Sequence, residues 1–358
     1  MTVISELNYR VSTFAAHATK LRKSIQSFAG TTPNVYTRGP SATAATEKFA
    51  GVINLPDDTM LFVPYGKGNI GLYNPLTQAY TEGPVTTGSA RFRGGVLHGS
   101  TGLVILAPML SQQVGIYDTR NGQFRLGASV GANFGSAGAV VSSVTDKVIL
   151  IPRSSPYLWI YDPVMDTVTQ GPAHGATGTP FFSGAEELPN GNILLIPYSA
   201  GSFKIYNPRT GVVTNGPSGV ASAGFYGSAK LFTGEVVCAP YSSNVISIYR
   251  WESNTLFNVA CPTGGAKFRG AALAPDGRVI FAPHTYDKVG WYDPKTLAYG
   301  EGEALGLGTG DKWMGIAQAS NGEMILVPHI IEHVGRFQAV SEGASPRSSI
   351  LSAQWNKS

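Results

Sequence analysis

Apolar and polar positions along this chain follow two different rhythms. Over residues 1 to 30, apolar side chains recur at Ile4, Leu7, Val11, Phe14, Ala18, Leu21, Ile25 and Phe28, in alternating steps of three and four. That spacing places them on one stripe of a helix, with Glu6, Arg10, Lys20, Arg22 and Lys23 off it. Gly30 and Thr31-Thr32-Pro33 are a stop signal. So short an amphipathic helix is marginal alone in water. Its stripe is expected to bury itself on its own domain, on another copy in heptad register, or on another protein.

From residue 34 the rhythm shortens. Leu188-Pro189-Asn190-Gly191 is followed by the apolar run Ile193-Leu194-Leu195-Ile196, closed by Pro197-Tyr198, and then by an alternating segment ending Tyr206-Asn207-Pro208. A hairpin turn, a strand apolar on both faces and a third strand are the simplest reading. The closing proline recurs at Pro64, Pro108, Pro152, Pro197, Pro240, Pro283 and Pro328, at intervals of 44, 44, 45, 43, 43 and 45. Nine positions after each stands Tyr73, Tyr117, Tyr161, Tyr206, Tyr249, Tyr292 or Phe337. A first strand opens each unit at an aromatic residue followed two positions on by glycine: Phe49/Gly51, Phe92/Gly94, Phe182/Gly184, Phe225/Gly227, Phe268/Gly270 and Trp313/Gly315. The third unit is read with Phe134 in that place, followed by Gly135-Ser136. A fourth strand runs towards Gly-Pro at Gly83-Pro84, Gly171-Pro172 and Gly216-Pro217.

A strand apolar on both faces must be covered on both, here by neighbouring sheets. The last unit lacks a Gly-Pro strand, whereas Val35-Tyr36-Thr37-Arg38-Gly39-Pro40 stands unpaired at the other end of the array. The expectation is therefore all-β: a seven-bladed β-propeller closed by an N-terminal strand and preceded by an amphipathic helix. Three segments follow: residues 1-30 as an attachment or oligomerisation helix, 31-338 as the propeller, and 339-358 as a polar C-terminal tail.

Composition changes this little. Glycine (44) and proline (23) suit many tight turns, and the formal charge of +4 over 358 residues is too small to argue for nucleic acid. The two cysteines do not make a disulfide framework, and Cys238 occupies a slot held elsewhere by Phe62, Leu106 or Leu150, so it reads as a buried hydrophobe. No run is long and apolar enough for a membrane helix, and residues 1 to 30 lack a secretory apolar region. A cytoplasmic chain is the expectation.

Three motifs look chemical and fail on context. His329-Ile330-Ile331-Glu332-His333 matches an H-x-x-E-H zinc pattern, which needs a helix to bring both imidazoles to one face. Here it follows Pro328 in a loop between strands. Gly127-Ala128-Ser129-Val130-Gly131 matches a nucleophile elbow without the strand and helix that build one. Gly306-Leu307-Gly308-Thr309-Gly310 lacks the strand-helix unit of a phosphate loop. No catalytic residue, cofactor or metal ligand is nominated.

One constellation comes from topology. In a four-stranded meander, the loop leading into the first strand and the loop after the second lie on one face. The first set carries Lys48, Arg91, Lys267 and Lys312, with Arg93 and Arg269 just inside their strands. The second begins Tyr65, Arg153, Tyr198, Tyr241, His284 and His329. A partial cationic ring near the channel with an aromatic rim is expected, suited to carboxylates, acidic glycans or an acidic protein surface. The competing reading is that tyrosines cover blade ends and the cations are solvated.

Over roughly residues 34 to 338 the repeat resembles uncharacterised bacteriophage and bacterial propellers with a Leu-Pro-Asp-Gly…Pro-Tyr…Tyr-Asp-Pro signature. That resemblance implies a non-enzymatic structural or receptor-recognition protein of a virion, in the capsid, tail or fibre, assembled in the host cytoplasm. Its partners would be other virion proteins or itself, through the stripe of Ile4, Leu7, Val11, Phe14, Leu21, Ile25 and Phe28, and a host surface glycan or acidic protein surface. Two alternatives stand beside it: a propeller enzyme of the lactonase or lyase type, and a carbohydrate-binding propeller using Tyr65, Tyr198 and Tyr241.

Overall fold

The computed structural model describes residues 34–42, 47–86, 91–131, 134–220 and 222–339. The expected helix over 1 to 30, and the tail beyond Ala339, lie outside the described residues. The described chain forms seven four-stranded antiparallel sheets. The first blade shows the plan: Phe49–Asn54 innermost, then Met60–Pro64, Asn69–Asn74 and Ala79–Val85 outermost. In the seventh, Trp313–Gln318, Met324–Pro328 and His333–Gln338 receive their outer strand from Val35–Ser41, which pairs antiparallel with His333–Gln338.

The apolar second strands explain where the core lies. Every residue of Met60–Pro64, Ile193–Pro197, Val236–Pro240, Val279–Pro283 and Met324–Pro328 is buried. There is no single centre. Apolar side chains gather in layers between neighbouring blades: Leu61, Val63 and Ile70 meet Phe92, Val104 and Leu106 between the first and second, and Ile325 and Val327 meet Phe49 and Phe62 between the seventh and first. Each fully buried Leu, Ile or Phe contributes about 1.5–3 kcal/mol, so the ring is held by many equivalent interfaces. The Tyr-Asn/Asp-Pro signature also has a local cause. Asn74 Oδ1 accepts the N–H groups of Leu76 (2.9 Å) and Thr77 (3.1 Å), and Asp162 does the same for Val164 and Met165, so this side chain shapes the turn to the outer strand.

Each innermost strand carries a bulge directly after its first residues, as between Phe49 and Val52 or Phe268 and Ala271. At the bulge sits the glycine of the aromatic-x-Gly pattern. A Cβ on Gly315 would lie 3.0 Å from the Cα of Gly51, one on Gly51 3.0 Å from Gly94, and one on Gly270 3.1 Å from Gly315. Gly51, Gly270 and Gly315 also have φ of +127°, +116° and +121°. Close approach and a left-handed backbone both demand glycine there.

The third blade corrects the phase expected for it. Ser136, not Phe134, pairs with Pro152 as Phe49 pairs with Pro64, and Gly138 joins the glycine ring, its Cα 3.3 Å from a Cβ built on Gly94. Ser136 substitutes hydrogen bonds for aromatic packing, its hydroxyl donating to Gly138 O (2.8 Å) or Ile151 O (3.0 Å). Phe134 lies in the preceding loop, edge-on to Trp159.

Candidate functional site at the channel mouth

Backbone hydrogen bonds bring the two loop sets onto one face. In every blade the N–H after the closing proline donates to the carbonyl just before the innermost strand: Tyr65 to Lys48, Met109 to Arg91, Arg153 to Gly135, Tyr198 to Phe181, Tyr241 to Gly224, His284 to Lys267 and His329 to Lys312, at 2.7–2.9 Å. Bonds such as Lys48 N–H to His329 O (2.8 Å) and Lys312 N–H to His284 O (3.0 Å) then tie one blade to the next. The face is a stitched platform.

The cations on it divide into two kinds. Lys48, Lys267 and Lys312 were expected near the channel as part of a cationic ring. The structure instead buries them beneath the loops. Lys48 Nζ donates to Ile330 O (3.0 Å) and Ile331 O (3.3 Å), and Lys267 Nζ to Ser243 O (2.8 Å) and Gly264 O (2.6 Å). Lys312 Nζ reaches the carbonyls of Thr285, Tyr286, His284 and Gly310 at 3.2–3.5 Å. Loop carbonyls have no strand partner, and an ammonium with three donors satisfies several at once. Burial lowers the pKa of all three lysines.

The arginines are different. Arg93 and Arg269 sit one residue inside the innermost strands of the second and sixth blades, and Arg153 follows the closing proline of the third. Among the described residues, Arg93 Nε and Nη1, Arg153 Nη1 and Arg269 Nε are buried without a hydrogen-bond partner. Arg269 Nη2 donates to Tyr241 Oη at 3.1 Å. Arg91 stays at the rim, its Nη1 3.4 Å from Glu47 Oε2. Burial and the neighbouring Arg93 charge pull the Arg153 pKa down.

These groups form a circuit of ring contacts around the mouth. His329 lies 5.8 Å from Tyr65, Arg93 sits 5.7 Å over Tyr65 and 5.3 Å over Tyr226, and Arg269 sits 5.1 Å over Tyr226 and 5.2 Å over Tyr241. Tyr241 is 6.2 Å from His284, which is 6.4 Å from His329. Tyr198 packs on Tyr226 and Tyr241 and carries Arg153 at 5.6 Å. Tyr226 is the residue that sequence reasoning missed. Its signal was available, because it stands one residue after Phe225 just as Arg93 follows Phe92 and Arg269 follows Phe268.

The two histidines are buried and neutral at pH 7. His329 Nδ1 lies 3.0 Å from Phe49 O. A carbonyl only accepts, so Nδ1 carries the proton and Nε2 keeps its lone pair. Burial lowers its pKa. Burial, then the charge of Arg269, pushes His284 down to about 3. His284 Nε2 lies 2.9 Å from Asp311 Oδ1 without a directed hydrogen bond. The H-x-x-E-H segment forms no helix: His329 stays on this face, while His333 begins a strand and shares a 2.6 Å hydrogen bond with Tyr36 Oη. Among the described residues no group of three or more His, Cys, Asp or Glu is placed to hold a metal ion. Cys238 is fully buried in its strand.

No family model matches the chain, and no curated protein matches it. Solved structures do. A streptogramin B lyase superposes with a TM-score of 0.74 at 12% identity, covering 85% of this chain and 97% of its own. A catalytically inactive histidine-to-alanine variant of virginiamycin B lyase from Staphylococcus aureus, with quinupristin, gives 0.75 at 11% identity, covering 86% and 100%. Kuenenia stuttgartiensis hydrazine synthase gives 0.64 at 12%, covering 86% and 99%. Identities this low show the fold alone, a seven-bladed propeller. They nevertheless overturn one expectation: the resemblance implies a non-enzymatic virion protein, yet the lyase structures, which align along almost their whole length, are enzymes. The non-enzyme reading is corrected accordingly.

Proposed function

We propose that this chain is a propeller enzyme of the lyase type, working at the channel mouth on an anionic substrate. The observation that carries the reading is the placement of His329, a neutral imidazole with Nδ1–H committed to Phe49 O, on the same circuit as Arg93, Arg153 and Arg269. Elimination needs those two functions together. A base takes a proton from the carbon beside a carboxylate, the electrons of that C–H bond form a C=C bond, and the bond to the β-substituent breaks with its pair. Guanidiniums stabilise the charge that builds on the carboxylate meanwhile.

In this reading His329 Nε2 is the base, and the arginines bind and polarise the carboxylate. Burial first, and the charge of Arg269 after it, hold His284 and His329 below the usual imidazole range; a bound anion offsets the second of these causes, which strengthens the base. The likeness to lyases, one of them inactivated by loss of a histidine, supports the class of reaction.

The test is turnover of a panel of β-acyloxy and β-alkoxy carboxylates, followed by the absorbance of the new C=C bond. His329→Asn is expected to lower the rate by about 10²–10⁴-fold, the usual worth of a positioned base. An unchanged rate in that variant, or no turnover anywhere in the panel, overturns the proposal.

A further inference from the structure

The geometry points to a small dianion as the ligand of this mouth: one anionic group held by Arg93 and Arg153, the other on the same molecule held by Arg269. This rests on the mouth being the working site and adds the charge and span of what it takes. In a ring of seven blades, the sixth lies opposite the junction of the second and third. Arg269 comes from the sixth, and Arg93 and Arg153 from the second and third. The cations therefore form two poles across the channel.

The poles are within reach of one small molecule, because Arg93 Cζ and Arg269 Cζ lie 5.3 and 5.1 Å from the centre of the same ring, Tyr226. A carboxylate takes a guanidinium as a two-pronged fork, using two N–H groups. The four buried nitrogens without partners are spread over both poles, and no ion pair joins any of the three guanidiniums to a carboxylate among the described residues. A monoanion would serve one pole and leave the other charged and desolvated. Tyr226, whose hydroxyl also lacks a partner, lies between the two poles with both guanidiniums over its ring.

Titration calorimetry on the full chain at fixed ionic strength tests this with succinate and glutarate against butyrate. A dicarboxylate is expected to bind about tenfold or more tighter than butyrate, as one further charged hydrogen-bonded contact gives. Arg269→Gln should bring the dicarboxylate down to the level of butyrate. Arg209→Gln, an exposed cation in a turn at the end of a third strand, should leave the preference intact. Retained butyrate binding by Arg269→Gln shows that its mouth is still folded, and Arg93→Gln gives the same reading from the other pole. Equal affinities, absence of dicarboxylate binding, or a preference that survives both arginine variants overturns the inference. These saturated acids carry no leaving group, so binding is scored apart from turnover. Dianion preference together with full activity in His329→Asn would sink the base assignment alone.

Discussion

The two sets of cations on the same face make opposite use of the same charge. Lys48, Lys267 and Lys312 point back into the protein and spend their donors on loop carbonyls. Arg93, Arg153 and Arg269 lean over tyrosine rings and keep buried nitrogens without partners. A satisfied buried cation holds architecture together, whereas an unsatisfied one is costly unless something else completes it. The lysines explain how the face is built, and the arginines carry the proposal for what it binds.

That contrast can be broken from beneath. Gly315→Ala places a Cβ 3.0 Å from Gly51 Cα at a φ of +121°. It should cost about 2–4 kcal/mol, combining overpacking with a left-handed backbone, and lower the melting temperature whatever ligand is present. Lowering the pH acts on the mouth through His284, alongside the buried His174 and His333 elsewhere, whose pKa values burial also lowers. His284 has a folded pKa of about 3, below its unfolded value, so its contribution is complete above about pH 6.5 and is lost as pH falls towards 3. Urea unfolding at pH 4.5 should show a loss of up to about 3 kcal/mol from this group relative to pH 7, and His284→Phe should flatten the slope. An unchanged slope would mean that His284 is not held neutral.

The lysine side of the comparison is sharpened by Lys267→Met, which strips Ser243 O and Gly264 O of their donor. About 2 kcal/mol of stability should go, while the dianion preference remains. The smallest effect on stability is expected from Arg269→Gln, within about 0.5–1 kcal/mol, although it removes the dianion preference. If chemical unfolding shows Arg269→Gln to be as damaging as Lys267→Met, the division into architectural and functional cations is wrong.

Much of this was legible in the chain. The 43 to 45 residue spacing from Pro64 to Pro328 and the aromatic residue nine positions later pointed to seven sheets, because each repeat must bury an apolar strand that it cannot cover alone. The third blade escaped because Phe134 imitates the aromatic start, while the strand pairs through Ser136. The site was half visible. Loop order placed Tyr65, Arg153, Tyr198, Tyr241, His284 and His329 beside Arg93 and Arg269, yet nothing in it separated Lys267, which turns away, from Arg269 two positions later.

The sequence by itself determined the repeat, the four strands of each blade and the face on which the chemical side chains gather, because period and turn chemistry are local properties. Which cations would face the channel was decided only in three dimensions. The bulge at Gly51, Gly270 and their counterparts resets the alternation of the innermost strand, and the carbonyls that capture Lys48, Lys267 and Lys312 belong to loops that fold beside them. Tyr226 meets Arg93 only because closely packed glycines draw the blades together at the axis.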